Sequence, residues 1–82
     1  MRIAIMGLAK SGVAAANLAL ELGYEVSISD ACFDHGHPIT PSKEMLERAA
    51  DLRSKGVYVE IGRHSKAFLE GADLLVLSPG VG

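Results

Sequence analysis

Four short apolar runs, separated by segments of helical composition, constrain the fold of this chain more than any other sequence feature. The first run is rich in Ile, which is typical of a parallel strand buried on both faces. The apolar residues of the second helical segment recur at helical spacing and predict a core-facing stripe of Met45, Leu46, Ala49 and Leu52. The predicted strands are residues 2–6, 25–29, 57–61 and 73–77. The predicted helices are residues 11–22 and 41–55, and residues 65–70 are predicted to form a short helix or a turn. Thr40 is the expected N-cap of the second helix, with Pro41 at its first position.

The order β-α-β-α-β-α-β predicts an α/β fold, a Rossmann-like parallel sheet with right-handed crossovers. For four strands we expect the spatial order 3-2-1-4, with helices on both faces of the sheet. We expect a single domain over residues 1–82. Because the chain stops directly after a strand, we also expect it to be a fragment of a longer protein.

Composition argues against several classes of function. The formal net charge is −2, basic residues are scattered, and aromatic residues are 5% of the chain, which does not suit a nucleic-acid surface. The first apolar run is too short for a signal peptide or a membrane span. The single cysteine, Cys32, forms no internal disulfide, as suits a reducing compartment. We therefore expect a cytoplasmic protein with neither nucleic acid nor membrane as a partner.

A glycine-rich turn, residues 7–12 (GLAKSG), lies between the first strand and the first helix. Gly7 suits a tight turn, and Gly12 lets the helix pack closely on the strand. Main-chain amides at the start of a helix, together with the helix dipole, stabilise an anion. Lys10 and Ser11 add a charge and a hydroxyl. The sequence therefore predicts a pyrophosphate site formed by Gly7, Lys10, Ser11 and Gly12.

This turn departs from two established phosphate-binding patterns. Ala9 stands where GxGxxG has its middle glycine, although it is still small enough for the main chain to approach a ligand. Val13 and Ala14 follow Gly12, where a Walker A loop has Lys and Ser or Thr. A purely structural turn that holds no ligand therefore remains an alternative.

Two further features are expected at the carboxyl ends of the strands. Asp30 ends the second strand, where dinucleotide enzymes have an acid that binds a ribose hydroxyl. Asp30 could equally accept hydrogen bonds from another ring or sugar. A third interpretation is a loop aspartate that caps the end of the strand and binds no ligand. Ser78, Pro79 and Gly80 follow the fourth strand, which neighbours the first in the order 3-2-1-4, so this loop should face the glycine-rich turn. The alternative is an ordinary Pro-Gly turn.

The remaining reactive side chains predict no chemistry. His35, His37 and His64 lack the spacing of a zinc site, so we interpret them as solvated loop residues. Cys32 has no basic cluster nearby in sequence to lower its pKa and is expected to be a bystander. No acid–base pair and no nucleophile with its base is evident. We expect neither catalytic nor metal-binding residues, and no activity of this chain alone.

Three segments together resemble the N-terminal domain of the Mur ligases: residues 5–12 (IMGLAKSG), 26–30 (VSISD) and 72–81 (ADLLVLSPGV). Residues 59–64 (VEIGRH) add to a resemblance that covers essentially the whole chain. It implies an N-terminal UDP-binding domain of a three-domain ligase of peptidoglycan synthesis, with a central ATPase domain and a C-terminal amino-acid-binding domain.

The resemblance also implies substrates and residue roles. ATP would phosphorylate the carboxylate of UDP-N-acetylmuramoyl-L-alanine, and D-glutamate would attack the acyl phosphate. The implied contacts are Lys10, Ser11 and Gly12 with the diphosphate, Asp30 and Ala31 with the uracil, and Ser78, Pro79 and Gly80 along the sugar–diphosphate path. Ala31 lacks a hydroxyl that some family members carry. ATP and Mg²⁺ would belong to the parent ligase, with no cofactor in this chain, and we expect a monomer.

Two other hypotheses stay open. One is an NAD(P)-binding Rossmann domain of a dehydrogenase or a ligand-sensing regulator, which would favour glycine in place of Ala9 and does not predict the Ser78-Pro79-Gly80 loop. The other is a free-standing α/β interaction module, which would bind no nucleotide.

Overall fold

The computed structural model describes residues 1–34 and 37–77. In chain order its elements are β1 (Arg2–Met6), α1 (Lys10–Glu21), β2 (Glu25–Asp30), β3 (Phe33–Asp34), β4 (His37–Pro38), α2 (Lys43–Ser54), β5 (Tyr58–Ile61), α3 (Lys66–Leu69) and β6 (Leu74–Leu77). Strands β1, β2, β5 and β6 form one parallel sheet, and β3 pairs with β4 in a separate antiparallel hairpin.

The main sheet has the strand order β5-β2-β1-β6. Counting its four strands alone, this is the predicted order 3-2-1-4, and the Rossmann-like α/β fold is confirmed. The register places Ile5 of β1 beside Ile28 on one side and Val76 on the other. The four strands of the parallel sheet are thus as predicted, but β3 and β4 were not predicted, because the sequence assigned residues 31–40 to a loop. These two-residue strands are too short to give a periodic apolar pattern.

Helices cover both faces of the main sheet, as predicted. On one face, side chains of β1, β2 and β5 pack against α1 and α2; the buried residues of this core are Ile3, Ile5, Leu8, Ala16, Ala19, Val26, Ile28, Ala49, Leu52, Val57 and Val59. Because side chains alternate along a strand, Ser27 and Ser29 point to the opposite face. There the Ser27 hydroxyl donates to the carbonyl of Phe68 in α3 at 3.0 Å.

Helix α2 begins two residues later than predicted. Ser42, and not Thr40, is the N-cap, and its hydroxyl accepts a hydrogen bond from the Met45 amide at 3.1 Å. Serine is the stronger N-cap of the two residue types, and it leaves Pro41 outside the helix. The predicted core stripe is also corrected, since Leu46 is 51% exposed. None of the helices in the described ranges has the length and apolar character that a membrane crossing requires.

Three connections meet where the parallel strands end. The glycine-rich turn follows β1, Asp30 closes β2, and the segment from Gly62 to Ser65 follows β5. The carboxyl ends of parallel strands share one edge of a sheet, and ligands of open α/β folds bind there. The fold therefore brings the predicted site residues of two different connections to one place.

Candidate functional site

Gly7 turns the chain sharply out of β1. Its φ is 112°, in a region that residues with a side chain rarely adopt. Its amide donates to the Ser29 carbonyl of the neighbouring strand at 2.7 Å, which extends the pairing of β1 and β2 into the turn. The predicted role of Gly7 in the turn is confirmed.

Gly12 lies where helix α1 passes closest to the turn. A Cβ atom at this position would be 2.0 Å from the Gly7 carbonyl oxygen and 3.5 Å from the Ile5 side chain. No van der Waals contact is that short, so only glycine fits here without displacing the backbone. The prediction that Gly12 permits close packing of helix on strand is confirmed.

The start of α1 has the features of an anion site. Its N-cap, Ala9, is extended and makes no side-chain capping bond within the described residues. The first main-chain bond into the helix joins the Val13 amide to the Ala9 carbonyl at 2.9 Å, and the amides of Lys10 and Gly12 precede it. The first turn contains no acidic residue, and both Lys10 and Ser11 are exposed. Nothing acidic on the helix itself opposes the positive end of its dipole.

Asp30 binds main-chain amides of two loops at once. One carboxylate oxygen accepts from the Leu8 amide at 3.0 Å, and the other accepts from the Cys32 amide at 2.9 Å. Asp30 therefore holds the glycine-rich turn against the loop after β2. Each carboxylate oxygen has two lone pairs, so two further acceptor positions remain. Ala31, which lies between Asp30 and Cys32 in the chain, is half-buried.

Cys32 belongs to the protein interior. It is buried, adopts a φ of 55°, and its Sγ lies 3.5 Å from Sδ of Met45. Burial, and secondly the charge of Asp30, raise the pKa of the Cys32 thiol. A neutral thiol is a poor nucleophile and a poor metal ligand. This environment agrees with the bystander interpretation.

The segment after β5 is held by hydrogen bonds that were not predicted from the sequence. Ser65, the N-cap of α3, donates through its amide to Glu60 at 3.1 Å and also through its hydroxyl. Tyr58 donates its hydroxyl to the same carboxylate at 2.9 Å. These hydrogen bonds, first that of the Ser65 hydroxyl, lower the pKa of Glu60. The sequence of the strand gave no sign of this buried acid, because Ser65, which donates to it through both amide and hydroxyl, lies in the next connection.

His64, interpreted from sequence as a solvated residue, is exposed, but its ring is bonded. Nδ1 of the ring shares a hydrogen bond with the hydroxyl of Ser29, which is fully buried. Of the other predicted site residues, Ser78, Pro79 and Gly80 lie outside the described residues, so their position relative to the turn stays a prediction.

A groove of about 540 Å³ lies at the opposite, amino edge of the sheet, between Tyr24 and Phe68. Its charged residues include Arg2 and Glu25, which form an ion pair with each other at 2.5 Å. Because these charges are already paired and ligands of open α/β sheets bind at the carboxyl edge, we place the candidate site at the glycine-rich turn.

The sheet order, the crossovers and the glycine turn at the end of the central strand define a Rossmann-like α/β domain. No family model matches the chain. The chain does match curated proteins. It is 36% identical over 80 residues to the UDP-N-acetylmuramoylalanine–D-glutamate ligase of Shouchella clausii. It is 38% identical over 80 residues to the same ligase of Ligilactobacillus salivarius and 40% identical over 81 residues to that of Geobacillus kaustophilus. Each alignment covers 98% of this chain and 16% of the relative.

The chain belongs to the Mur ligase family, within which it matches an N-terminal fragment of the UDP-N-acetylmuramoylalanine–D-glutamate ligases. The expected family membership is thereby confirmed. The chain spans about one sixth of the length of these relatives.

Proposed function

We propose that this chain is a UDP-binding domain that holds UDP-N-acetylmuramoyl-L-alanine for a D-glutamate-adding ligase of peptidoglycan synthesis. The observation that carries the proposal is the start of α1, where the amides of Lys10 and Gly12 precede the first helical bond at the end of the central strand. Helix N-termini at this position of open α/β sheets bind phosphate groups. The names of the relatives supply the substrate class.

The diphosphate would lie against the first turn of α1, with Lys10 near its charge. The uracil would lie beside the loop after β2, where Asp30 keeps two acceptor positions beyond its bonds to Leu8 and Cys32. Ala31 would contact the uracil through its main chain. The sugar would extend past Ser78, Pro79 and Gly80.

Neither ATP nor Mg²⁺ fits the described residues of this chain. The turn at residues 7–12 lacks the Lys-Ser/Thr pair of a nucleotide triphosphate loop. The described residues also place no three His, Cys, Asp or Glu side chains together as metal ligands. We propose that ATP, Mg²⁺ and the D-glutamate site belong to other domains of the parent ligase, and that this chain contributes substrate binding without catalysis.

A titration followed by amide chemical shifts tests the proposal. We expect UDP to shift the amides of residues 7–12 and of Asp30, and NADH to shift them more weakly. A dissociation constant of about 1 mM, equivalent to about 4 kcal/mol, is enough to be measured this way. Uridine is the matched control, because it retains the base and ribose but has no diphosphate to bind the turn.

The outcomes separate the three hypotheses. A response to NADH alone would favour the NAD(P)-binding domain, and no response to either nucleotide would favour the interaction module. In the gene of the longer protein, a downstream Gly-Lys-Ser/Thr phosphate loop would support the ATP-dependent part of the proposal.

A further inference from the structure

Helix α1 exposes an apolar flank on its side toward β6. Leu18 and the C-cap Leu22 are each 58% exposed, and because they are four residues apart they lie on one side of the helix. The other flank of α1 faces α2, since Asn17 accepts a hydrogen bond from Lys55, the C-cap of α2, at 3.1 Å. Helix α2 packs on β5, at the far end of the sheet from β6. The flank with Leu18 and Leu22 is therefore the one nearer to β6.

Strand β6 continues this apolar flank on the same face of the sheet. It is the edge strand beside β1, and its register pairs Leu74 with Ile3 and Val76 with Ile5. Paired residues of parallel strands point to the same face, and Ile3 and Ile5 belong to the core beneath α1. Leu74 is nevertheless 50% exposed, and Val76 is only half-buried. The four residues that define this α1–β6 surface are Leu18, Leu22, Leu74 and Val76.

The composition of the α1–β6 surface is typical of an interface. Between Lys10 and Glu21, α1 contains no charged residue, and β6 consists of Leu, Leu, Val and Leu. Edge strands that face water are ordinarily protected by charged side chains, by proline or by a covering element. At the other edge, Arg53 of α2 donates to the Val59 carbonyl of β5 at 3.0 Å. Contiguous apolar patches on a protein surface mark sites of interaction, so we expect the α1–β6 surface to have a partner.

A connection that leads onward from β6 would not cover this surface. Crossovers between parallel strands are right-handed. Helices α1 and α2 connect strands in the direction from β1 to β5 and lie on one face, whereas α3 connects β5 to β6 in the opposite direction and lies on the other face. A helix leading from β6 to a further strand in that direction would lie on the face of α3, over Leu75 and Leu77. The α1–β6 surface therefore requires a different partner.

The relatives indicate what that partner is. The alignments cover 98% of this chain and 16% of each relative, and they match an N-terminal fragment of these ligases. In a ligase of that length, the remaining domains are tethered to the carboxyl end of this one. A tether gives an effective concentration on the order of millimolar, which favours a domain of the same polypeptide over a second copy in dilute solution.

We propose that the α1–β6 surface is an interface at which another domain of the longer ligase docks through an apolar, uncharged surface of its own. The inference rests on the proposal that this chain is part of such a ligase, and it is independent of whether UDP binds the glycine-rich turn. Docking at this surface would fix α1, whose N-terminus is the proposed diphosphate site, relative to the domain that docks.

Cysteine labelling measures whether the surface is covered. Leu18→Cys is made both in this chain and in the longer ligase, and its alkylation by a maleimide is followed by site-resolved mass spectrometry. Because Leu18 is exposed, the substitution should leave the domain folded, and the buried Cys32 adds little background. We expect alkylation to be at least about tenfold slower in the ligase than in the isolated chain. Glu21→Cys, at an exposed position of the same helix outside this surface, is the matched control and should react equally fast in both.

Two outcomes would overturn the proposal. Equal labelling rates of Leu18→Cys in the chain and in the ligase would show that the surface stays open. Slow labelling already in the isolated chain, becoming slower as its concentration is raised, would assign the surface to a second copy. Neither outcome would change the UDP-induced shifts of the turn amides, so a failure here is distinct from a failure of the UDP-binding function.

Discussion

The carboxylate of Asp30 accepts a hydrogen bond from the Leu8 amide at 3.0 Å, across the boundary between β2 and the glycine-rich turn. Its second oxygen binds the Cys32 amide at 2.9 Å. The acid that sequence patterns assign to the ligand is thus also a structural link between two loops. Any substitution at this position changes the shape of the site as well as its chemistry.

Asp30→Asn should lower both stability and UDP affinity. An Asn side chain has one acceptor oxygen, so either the Leu8 or the Cys32 amide would face an NH₂ group and lose its acceptor. The expected loss in the free energy of unfolding is about 1–3 kcal/mol, measured by urea denaturation. Asp73→Asn is the matched control, since Asp73 accepts from the Arg2 amide at 2.8 Å at the other edge of the sheet. It should cost stability without changing the UDP-induced shifts; an equal loss of UDP binding in both variants would contradict a local role for Asp30.

Gly12→Val should destabilise the fold and distort the turn. Its Cβ would clash with the Gly7 carbonyl oxygen, which belongs to the backbone and has no alternative rotamer. Overpacking of this kind costs about 1–3 kcal/mol, which lowers the melting temperature of a domain of this size by several degrees. Ala14→Val, at an exposed position of the same helix, controls for the helix propensity of Val. Equal melting temperatures for the two variants would refute the close contact of Gly7 and Gly12.

The buried Glu60 should make stability depend on acid pH. Its pKa is lower in the folded protein than its ordinary value of 4.5, first because the Ser65 hydroxyl donates to it. The stabilisation is therefore fully present above pH 4.5 and is lost as the pH falls through the lower, folded-state pKa. We expect the melting temperature of Glu60→Gln to vary less than that of the unchanged protein as the pH falls below 4.5. Parallel pH profiles for the two proteins would show that Glu60 does not contribute in this way.

The Cys32 thiol should react slowly in the native protein. It is buried, and burial raises its pKa, so that both access and thiolate fraction are low at neutral pH. Alkylation with iodoacetamide at pH 7.5 should be slower than that of free cysteine by more than about tenfold. The same reaction in denaturant, which should modify the thiol fully, is the control. Rapid alkylation of the folded chain would contradict a buried position.

Local sequence was sufficient for the order of elements and for the turn. The apolar runs, the small residues of α1 and the placement of Gly7 and Gly12 each depend on near neighbours in the chain, so the four strands of the main sheet and the glycine turn were predicted. Errors arose where local signals compete or are too short. Thr40 and Ser42 are both acceptable N-caps, and two-residue strands have no period. Leu46 fits the helical stripe, yet α2 turns it outward.

What the sequence by itself determined is the fold class, the conformation of the turn and membership of the Mur ligase family, because each is written in residue type and short spacing. Only the tertiary structure decided which side chains meet. Asp30 and Leu8 are 22 residues apart and Ser29 and His64 are 35 apart, and they contact each other only because parallel pairing brings the carboxyl ends of the strands to one edge. Strand register and crossover direction set such pairs, and no local pattern records them.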